Sequence, residues 1–493
     1  MNQELNDLLM GWINHLNDPL WDFLIIFLLS VGIIYTIATG GVQIRMFLES
    51  IRVMKGSRNE NEGEKRHGLT PFQAFVTGLA SRVGVGNIGG VAIAIAIGGP
   101  GAIFWMWVTA LVGMSSAFVE STLAQLFKIR DPKNKRFRGG PAYYITNGLK
   151  SKSFGIIFAL AMILAYGFVF NSVQANAMID ASSHAWGWDK YNISIPLGSS
   201  SFPISWVGLA LVFLIGIAIF GGINRIARFA ELFVPLKAGL YLGVAFYIAI
   251  INYEQLPHLF GLIFTKAFQF DAAAGGFFGS MVSMALMQGV KRGLFSNEAG
   301  MGSAPNAAAA SDVPHPVNQG LVQMLGVFVD TFIVCTSTAM IILISGAYTE
   351  KGFIGVQLTQ RALESQLGPW GGDLLAFLLF LFCYSAILGN YAYAEGNMQF
   401  IKNNRKVMLI FRILVLCMVY FGAITSVPLV WAMADLSMGI MATLNLAAIL
   451  LLMPFVMVLL KDYRKQQKAG IKDPIFKLDD HPELKKKVKS DIW

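Results

Sequence analysis

Apolar runs without a single charged residue dominate this chain, and short basic segments separate them. The runs Phe23–Ile44, Val83–Val119, Ser153–Ile179, Tyr191–Asn224 and Leu436–Leu460 contain no Asp, Glu, Lys or Arg. About 20 apolar residues cross a bilayer as a helix, so each run holds at least one span and the longest holds parts of two. A helix in a soluble core rarely exceeds ~20 residues and keeps a polar face, which these runs lack. The pattern predicts an all-α integral membrane protein with eleven spans, at 21–42, 70–97, 99–127, 154–180, 203–223, 230–253, 273–297, 318–346, 372–398, 407–424 and 429–460.

Basic residues supply a check on that count, because cytoplasmic connections are enriched in Lys and Arg. Every connection after an odd-numbered span is basic: Arg45–Arg66, Lys128–Arg138, Arg225 and Arg228, Lys291 and Arg292, Lys402–Lys406, and Lys461–Lys468. Connections after even-numbered spans are poor in basic residues, with Lys190 after the fourth, Lys351 after the eighth and none after the tenth. The alternation puts the N-terminus outside and the C-terminus in the cytoplasm of a cell-membrane protein. Residues 1–68 then form an extra N-terminal span with its linker, and 461–493 a charged, loosely ordered cytoplasmic tail. Between them, 69–253 and 254–460 carry five spans each. Two halves with an odd number of spans lie in opposite orientation, the inverted-repeat plan of many secondary transporters.

Composition serves here to exclude alternatives. Only 14% of residues are charged, against roughly a quarter in soluble domains. The net charge of +9 would suggest nucleic acid for a soluble protein, but these basic residues flank spans, so no nucleic-acid partner is expected. Cys335, Cys383 and Cys417 sit in apolar stretches as small packing residues. Met1–Leu20 is amphipathic, carries Glu4, Asp7 and Asp18, and does not read as a cleaved leader. The six histidines lack metal-ligand spacing, and no P-loop or convergent nucleophile set occurs, so neither an enzyme nor an ATP-driven pump is expected. Polarity is confined to local breaks, whereas a channel needs a continuous polar lining.

Two spans carry those breaks. The first holds GLASRVGVGNIGG, Gly78–Gly90, with five glycines plus Ser81, Arg82 and Asn87 at membrane depth. Each glycine disfavours the helix interior by up to about 1 kcal/mol, and unwound backbone survives in a bilayer only where its polar groups find partners. An ion and a zwitterion supply them: carbonyls take Na⁺ and the ammonium, and the amides of Gly84, Val85, Gly86 and Asn87 take the carboxylate. Close helix packing alone would explain the glycines but not Asn87 or Arg82. In the seventh span Gln288-Gly289 reads as the break, with Met287 and Gln288 as binding candidates. From Ser296 onward the polar run to Asn306 reads as a connection outside the bilayer. Asn171 and Gln174 share one helical face, as interhelical hydrogen-bonding groups or as ligands.

The stretch GGPGAIFWMWVTALVG, Gly98–Gly113, resembles the signature of the alanine/glycine:cation (sodium:alanine) symporter family. RGGPAYYI (Arg138–Ile145) and GLFSNEAGMGSAP (Gly293–Pro305) resemble it too, and Arg82–Asn87 resembles the LeuT-type break. The resemblance implies a LeuT-like ten-helix inverted repeat preceded by one extra helix. It also implies sodium-coupled import of small neutral amino acids by a monomer, with Na⁺ as coupling ion and no other cofactor. It carries substrate contact to Gln174 and a Na⁺ site to the carbonyls of Ala80 and Val83 with the Ser385 hydroxyl. Two positions depart from the family pattern: Ala386 replaces a second hydroxyl, and Asn390 stands where a tryptophan is expected to close the side-chain pocket. Asparagine leaves a larger, more polar pocket, which suits glutamine or asparagine as well as alanine and glycine.

Ionisable residues inside spans mark function or a paired structural site. Glu120, Lys237, Asp330, Glu395 and Asp435 qualify. Several lie near span ends, where snorkelling accounts for them. Asp330 is nearest mid-span and is the candidate for ion coupling.

Overall fold

Helices make up nearly every element of the computed structural model, which describes residues 3–59, 68–131, 136–188, 192–197, 200–221, 223–268, 283–488 and 490–493. The first, α1 (Gln3–Ala38), starts well ahead of the boundary expected at 21. Its amphipathic beginning continues the same helix, and Asn17 and Trp21 donate to the carbonyls of Ala432 and Asp435. Next, α2 (Pro71–Arg82) opens on a capping box, in which the Thr70 and Gln73 side chains each accept the other's backbone N–H. It is followed by a wide π-helical turn at Gly86–Gly90 and by α3 (Val91–Gly98), with a bend of 54° between the two arms.

The remaining principal helices are α4 (Ala102–Leu126), α5 (Lys152–Trp186), α6 (Trp206–Gly221), α7 (Ile223–Ile251), α8 (Met284–Asn297) and α9 (Ala304–Ala309). They are followed by α10 (Pro316–Ser345), α11 (Val356–Leu367), α12 (Trp370–Ile401), α13 (Arg405–Ile424) and α14 (Val427–Lys468). Among the described residues 8 helices are long and apolar enough to cross a membrane, and the bent α2–α3 pair makes a ninth; α6 is apolar but shorter. Observed ends fall within a few residues of most expected ones. The part of the expected seventh span before Ser283 lies outside the described residues.

Two helix groups position the site. In one, α4 packs between α8 and α10; in the other, α12 packs along α2, α5 and α7. Exposed Phe213 on α6, Phe246 on α7 and Ile410 on α13 form an apolar outer surface that suits lipid. Two further π-helical turns, Ile163–Val169 in α5 and Val329–Cys335 in α10, interrupt helices that border the first break. Such turns occur often at functional sites, because they aim side chains out of the regular register.

The tail expected to be loosely ordered is packed instead. Phe476, Leu478, Leu484 and Val488 are buried, and Phe476 N–H donates to Pro314 O. The Trp493 indole donates to Gln125 O, and its ring lies 4.7 Å from the Lys128 ammonium, which also faces Phe137 at 4.0 Å. Burial there pulls the Lys128 pKa down to about 7. Apolar residues spaced among the charges give the segment a face that contacts the bundle, which its overall polarity conceals.

Candidate functional site

The first break follows directly from its sequence. Val83 is extended (φ −77°, ψ 91°) and ends α2, so the next amides have no helical acceptor. Side chains take them: Gly84 N–H donates to Asn87 Oδ1 at 3.1 Å, and Val85 N–H donates to Gln174 Oε1 at 3.1 Å. A Cβ on Gly84 would meet the Gln174 amide at 2.9 Å and the Ala386 methyl at 3.2 Å, so only glycine permits this approach. Gly86 is equally constrained by the Phe295 ring.

Asn87 leads to a second cluster. Its Nδ2 donates to Asp330 Oδ1 at 2.6 Å and to Ser296 Oγ at 2.8 Å. Asp330 Oδ2 accepts from Ser296 Oγ at 2.7 Å and Thr331 Oγ1 at 3.1 Å. Asp330 is fully buried, and among the described residues no basic side chain is hydrogen-bonded to it. Asp330, nearest mid-span in the sequence, lies in the π-helical turn Val329–Cys335 of α10.

The second break is not at Gln288-Gly289. There α8 is continuous, and Gly289 serves close packing, since a Cβ would meet Ala102 O and Trp105 Cβ at 2.5 Å. Met287 and Gln288 are half-buried, with Gln288 against Gly98, roughly 15 Å along α3 from the first break. The chain departs from the helix at Glu298, with positive φ there and at Gly300 and Gly302 (58°, 85° and 86°), and resumes in α9. Ser296, Asn297, Glu298 and Ser303, which read as an external connection, are buried. Their partners come from helices distant in sequence. Glu120 on α4 accepts from Gly300 N–H at 3.2 Å, Gly302 N–H at 3.1 Å and Asn445 Nδ2 at 2.8 Å. Glu298 accepts from Ser303 at 2.6 Å and Ser81 at 3.1 Å, and the Ser81 hydroxyl also lies 3.0 Å from Asn390 Oδ1. Ser81 therefore ties α2 to the second break through Glu298, with Asn390 of α12 beside it. The two glycines after Glu298 were the available sequence signal for this break.

Arg82 lies among these carboxylates. Its guanidinium is buried without a hydrogen-bond partner among the described residues, and its charge acts on Glu120, Glu298 and Asp330. Asn171 donates to Gly167 O in its own helix, so of the predicted pair only Gln174 reaches the break. Phe295 packs in tilted contact, with ring centroids 4.8 Å away, against both Phe170 and Trp431 beside Gly86. Beyond them Asp435 accepts from Arg292 at 2.5 and 2.7 Å, tying α8 to α14.

Ser385 lies on the face of α12 that runs along the first break, next to Ala386 and one turn from Gly389, which faces Ser81. Its hydroxyl donates to Phe382 O at 2.9 Å and accepts from the Lys237 ammonium of α7. Lys237 is fully buried and does not snorkel. Glu395, by contrast, pairs with Arg412 at 3.1 Å.

The chain is similar to known proteins over most of its length. The profile of the sodium:alanine symporter family matches residues 6–478. An uncharacterized transporter of Haemophilus influenzae is 55% identical over 99% of this chain and 98% of its own length. The probable sodium/glutamine symporter GlnT of Bacillus subtilis is 49% identical over 94% and 92%. A sodium/proton-dependent alanine carrier protein of Bacillus sp. PS3 is 37% identical over 83% and 91%. Among solved structures, MhsT in complex with L-phenylalanine superposes with a TM-score of 0.51 at 10% identity, over 80% of this chain and 99% of that one, and so shares its fold.

Proposed function

Because the chain belongs to the sodium:alanine symporter family and is a membrane transporter, we propose that it imports a small neutral amino acid of the alanine or glycine type with Na⁺. The observation that carries this reading is the hydrogen bond from Val85 N–H to Gln174 Oε1. It is a neutral, exchangeable bond at an amide freed by the break, and a substrate carboxylate is a stronger acceptor for the same N–H. Gly84, Gly86 and Asn87 complete the carboxylate cradle, and Gln174 turns to the ammonium. The amides of the second break already have a resident carboxylate in Glu120, so the ligand's carboxylate belongs at the first.

Asp330, Ser296 and Thr331 offer the hard oxygen donors that Na⁺ favours, and these residues would hold the coupling ion. Around the two breaks three buried carboxylates, Glu120, Glu298 and Asp330, share one buried guanidinium, that of Arg82, a setting that favours a further positive charge. We read the chain as eleven spans, one extra helix before a five-plus-five inverted repeat, acting as a monomer in the cell membrane with the packed C-terminal tail in the cytoplasm. Met287 and Gln288 then line the outer approach, and Asn390 sets the floor of the pocket.

A second reading, glutamine as substrate, is favoured by the 49% identity to a protein named as a probable sodium/glutamine symporter. Competition of labelled alanine uptake by an amino-acid panel in proteoliposomes tests both. Inhibition by alanine and glycine but not glutamine supports the first reading, and the reverse order supports the second. No sodium-dependent uptake of any neutral amino acid would contradict both.

A further inference from the structure

Resting on that reading, we propose that the Lys237 ammonium is a built-in cation at the Ser385 position and takes the place that Na⁺ was expected to hold between α2 and α12. Transport is then driven by ions bound elsewhere in the site. The residues present do not fit a sodium ion here. A sodium site needs several oxygens directed at one point. From α12 the expected donors are one hydroxyl and the position after it, and that position is Ala386, whose methyl packs toward Gly84. The one hydroxyl is already engaged on both sides. Ser385 gives its proton to Phe382 O at 2.9 Å and its lone pair to the Lys237 ammonium.

The rest of the ammonium's surroundings suit a resident charge. Leu381 O lies at 3.5 Å and the Phe382 ring centroid at 4.6 Å, so a backbone carbonyl and an aromatic face share the positive charge. Its hydrogen bonds go to Ser385 and Leu381, and no carboxylate among the described residues is hydrogen-bonded to Lys237. A free cation entering this pocket would meet a like charge at contact distance in a site that excludes water, where repulsion is barely screened. The lysine stem fixes the charge to α7, so it cannot leave with substrate as an ion does. It also ties α7 to α12 in place of the bond that an ion would make between α2 and α12.

The test uses the full-length protein in proteoliposomes, with the sodium concentration for half-maximal uptake and the Hill coefficient for Na⁺ as readouts. Ser385→Ala should lower the rate while moving sodium half-saturation by less than twofold. Lys237→Met combined with Ala386→Ser frees the position and supplies the second hydroxyl, and should raise the Hill coefficient by about one. The counted Na⁺ per amino acid should rise with it in ²²Na⁺ flux. Where the double variant fails to fold, ²²Na⁺ binding to wild type and Ser385→Ala decides: equal site numbers and affinities support the proposal. A several-fold rise in sodium half-saturation for Ser385→Ala with Lys237 intact overturns it, as does an unchanged stoichiometry in a folded double variant. Absence of any sodium-dependent uptake by wild type would instead defeat the symporter reading, so the two failures are distinguishable.

Discussion

At the scale of single residues the account turns on Gln174. Its Oε1 accepts Val85 N–H, and its amide lies where a Cβ on Gly84 would go. If substrate displaces that bond and then uses Gln174 itself, Gln174→Ala removes one polar contact from the bound state. The expected loss is about 1 kcal/mol, or roughly a fivefold rise in half-saturation for substrate. Gln174→Glu is more informative, since it installs a permanent carboxylate at the amide that the substrate's carboxylate must reach. Its binding should fall well beyond that of Gln174→Ala. Equal affinities for wild type and both variants in a scintillation-proximity binding assay would reduce Gln174 to interhelical packing. This residue was legible in the sequence, because a polar group on an otherwise apolar helix face must point at something. Asn390 was legible as unusual but not in its role. Its partner Ser81 is 309 positions away, and no local pattern announces that contact.

Among elements, the breaks show where sequence reasoning stops. Hydropathy located the helices, because the bilayer requires long apolar segments whatever their partners. The glycine cluster located the first break. For the second, the polar pair Gln288-Gly289 is the stronger sequence signal, yet backbone conformation decides: Gly300 and Gly302 adopt positive φ and Gly289 does not. What holds that loop is Glu120 on α4, which receives two of its amides. Glu120→Gln keeps only one acceptor oxygen and turns an NH₂ group on the other amide. It should destabilise the fold by about 2 kcal/mol, seen as a lower midpoint in detergent unfolding. A midpoint equal to wild type would show that the break does not depend on this carboxylate.

The start of α10 supplies a pH test. His315 Nδ1 accepts Val317 N–H at 3.1 Å, so the cap requires the neutral ring. Burial holds the pKa below its ordinary 6.5, outweighing the bond to Asp462, with His481 beyond it opposing protonation as well. The unfolded chain therefore binds the proton first, and this contribution is fully present above pH about 6.5 and lost as pH falls below it. His315→Asn, which keeps a capping acceptor, should flatten the fall in unfolding midpoint between pH 7 and 5.5. The same fall in both proteins would contradict the assignment.

For the whole molecule, the connections that matter run between helices far apart in the chain. Arg292 and Asp435 join α8 to α14 beside the Phe170–Phe295–Trp431 aromatic cluster. Asp435→Asn leaves a buried guanidinium with a weaker partner and should destabilise the protein by about 3 kcal/mol, whereas an unchanged unfolding midpoint would mean the pair is solvated. The tail docks against Gln125, Lys128 and Pro314, and neither its order nor its attachment was visible in its charge-rich composition. The central claim is that a sodium gradient moves a neutral amino acid through the break between α2 and α3. Uptake of labelled alanine and glutamine into proteoliposomes, with and without an inward sodium gradient at matched membrane potential, tests it most directly. The account predicts transient accumulation above equilibrium that needs the gradient and disappears with a sodium ionophore. Equal uptake with and without the gradient, ending at equilibrium, would contradict it.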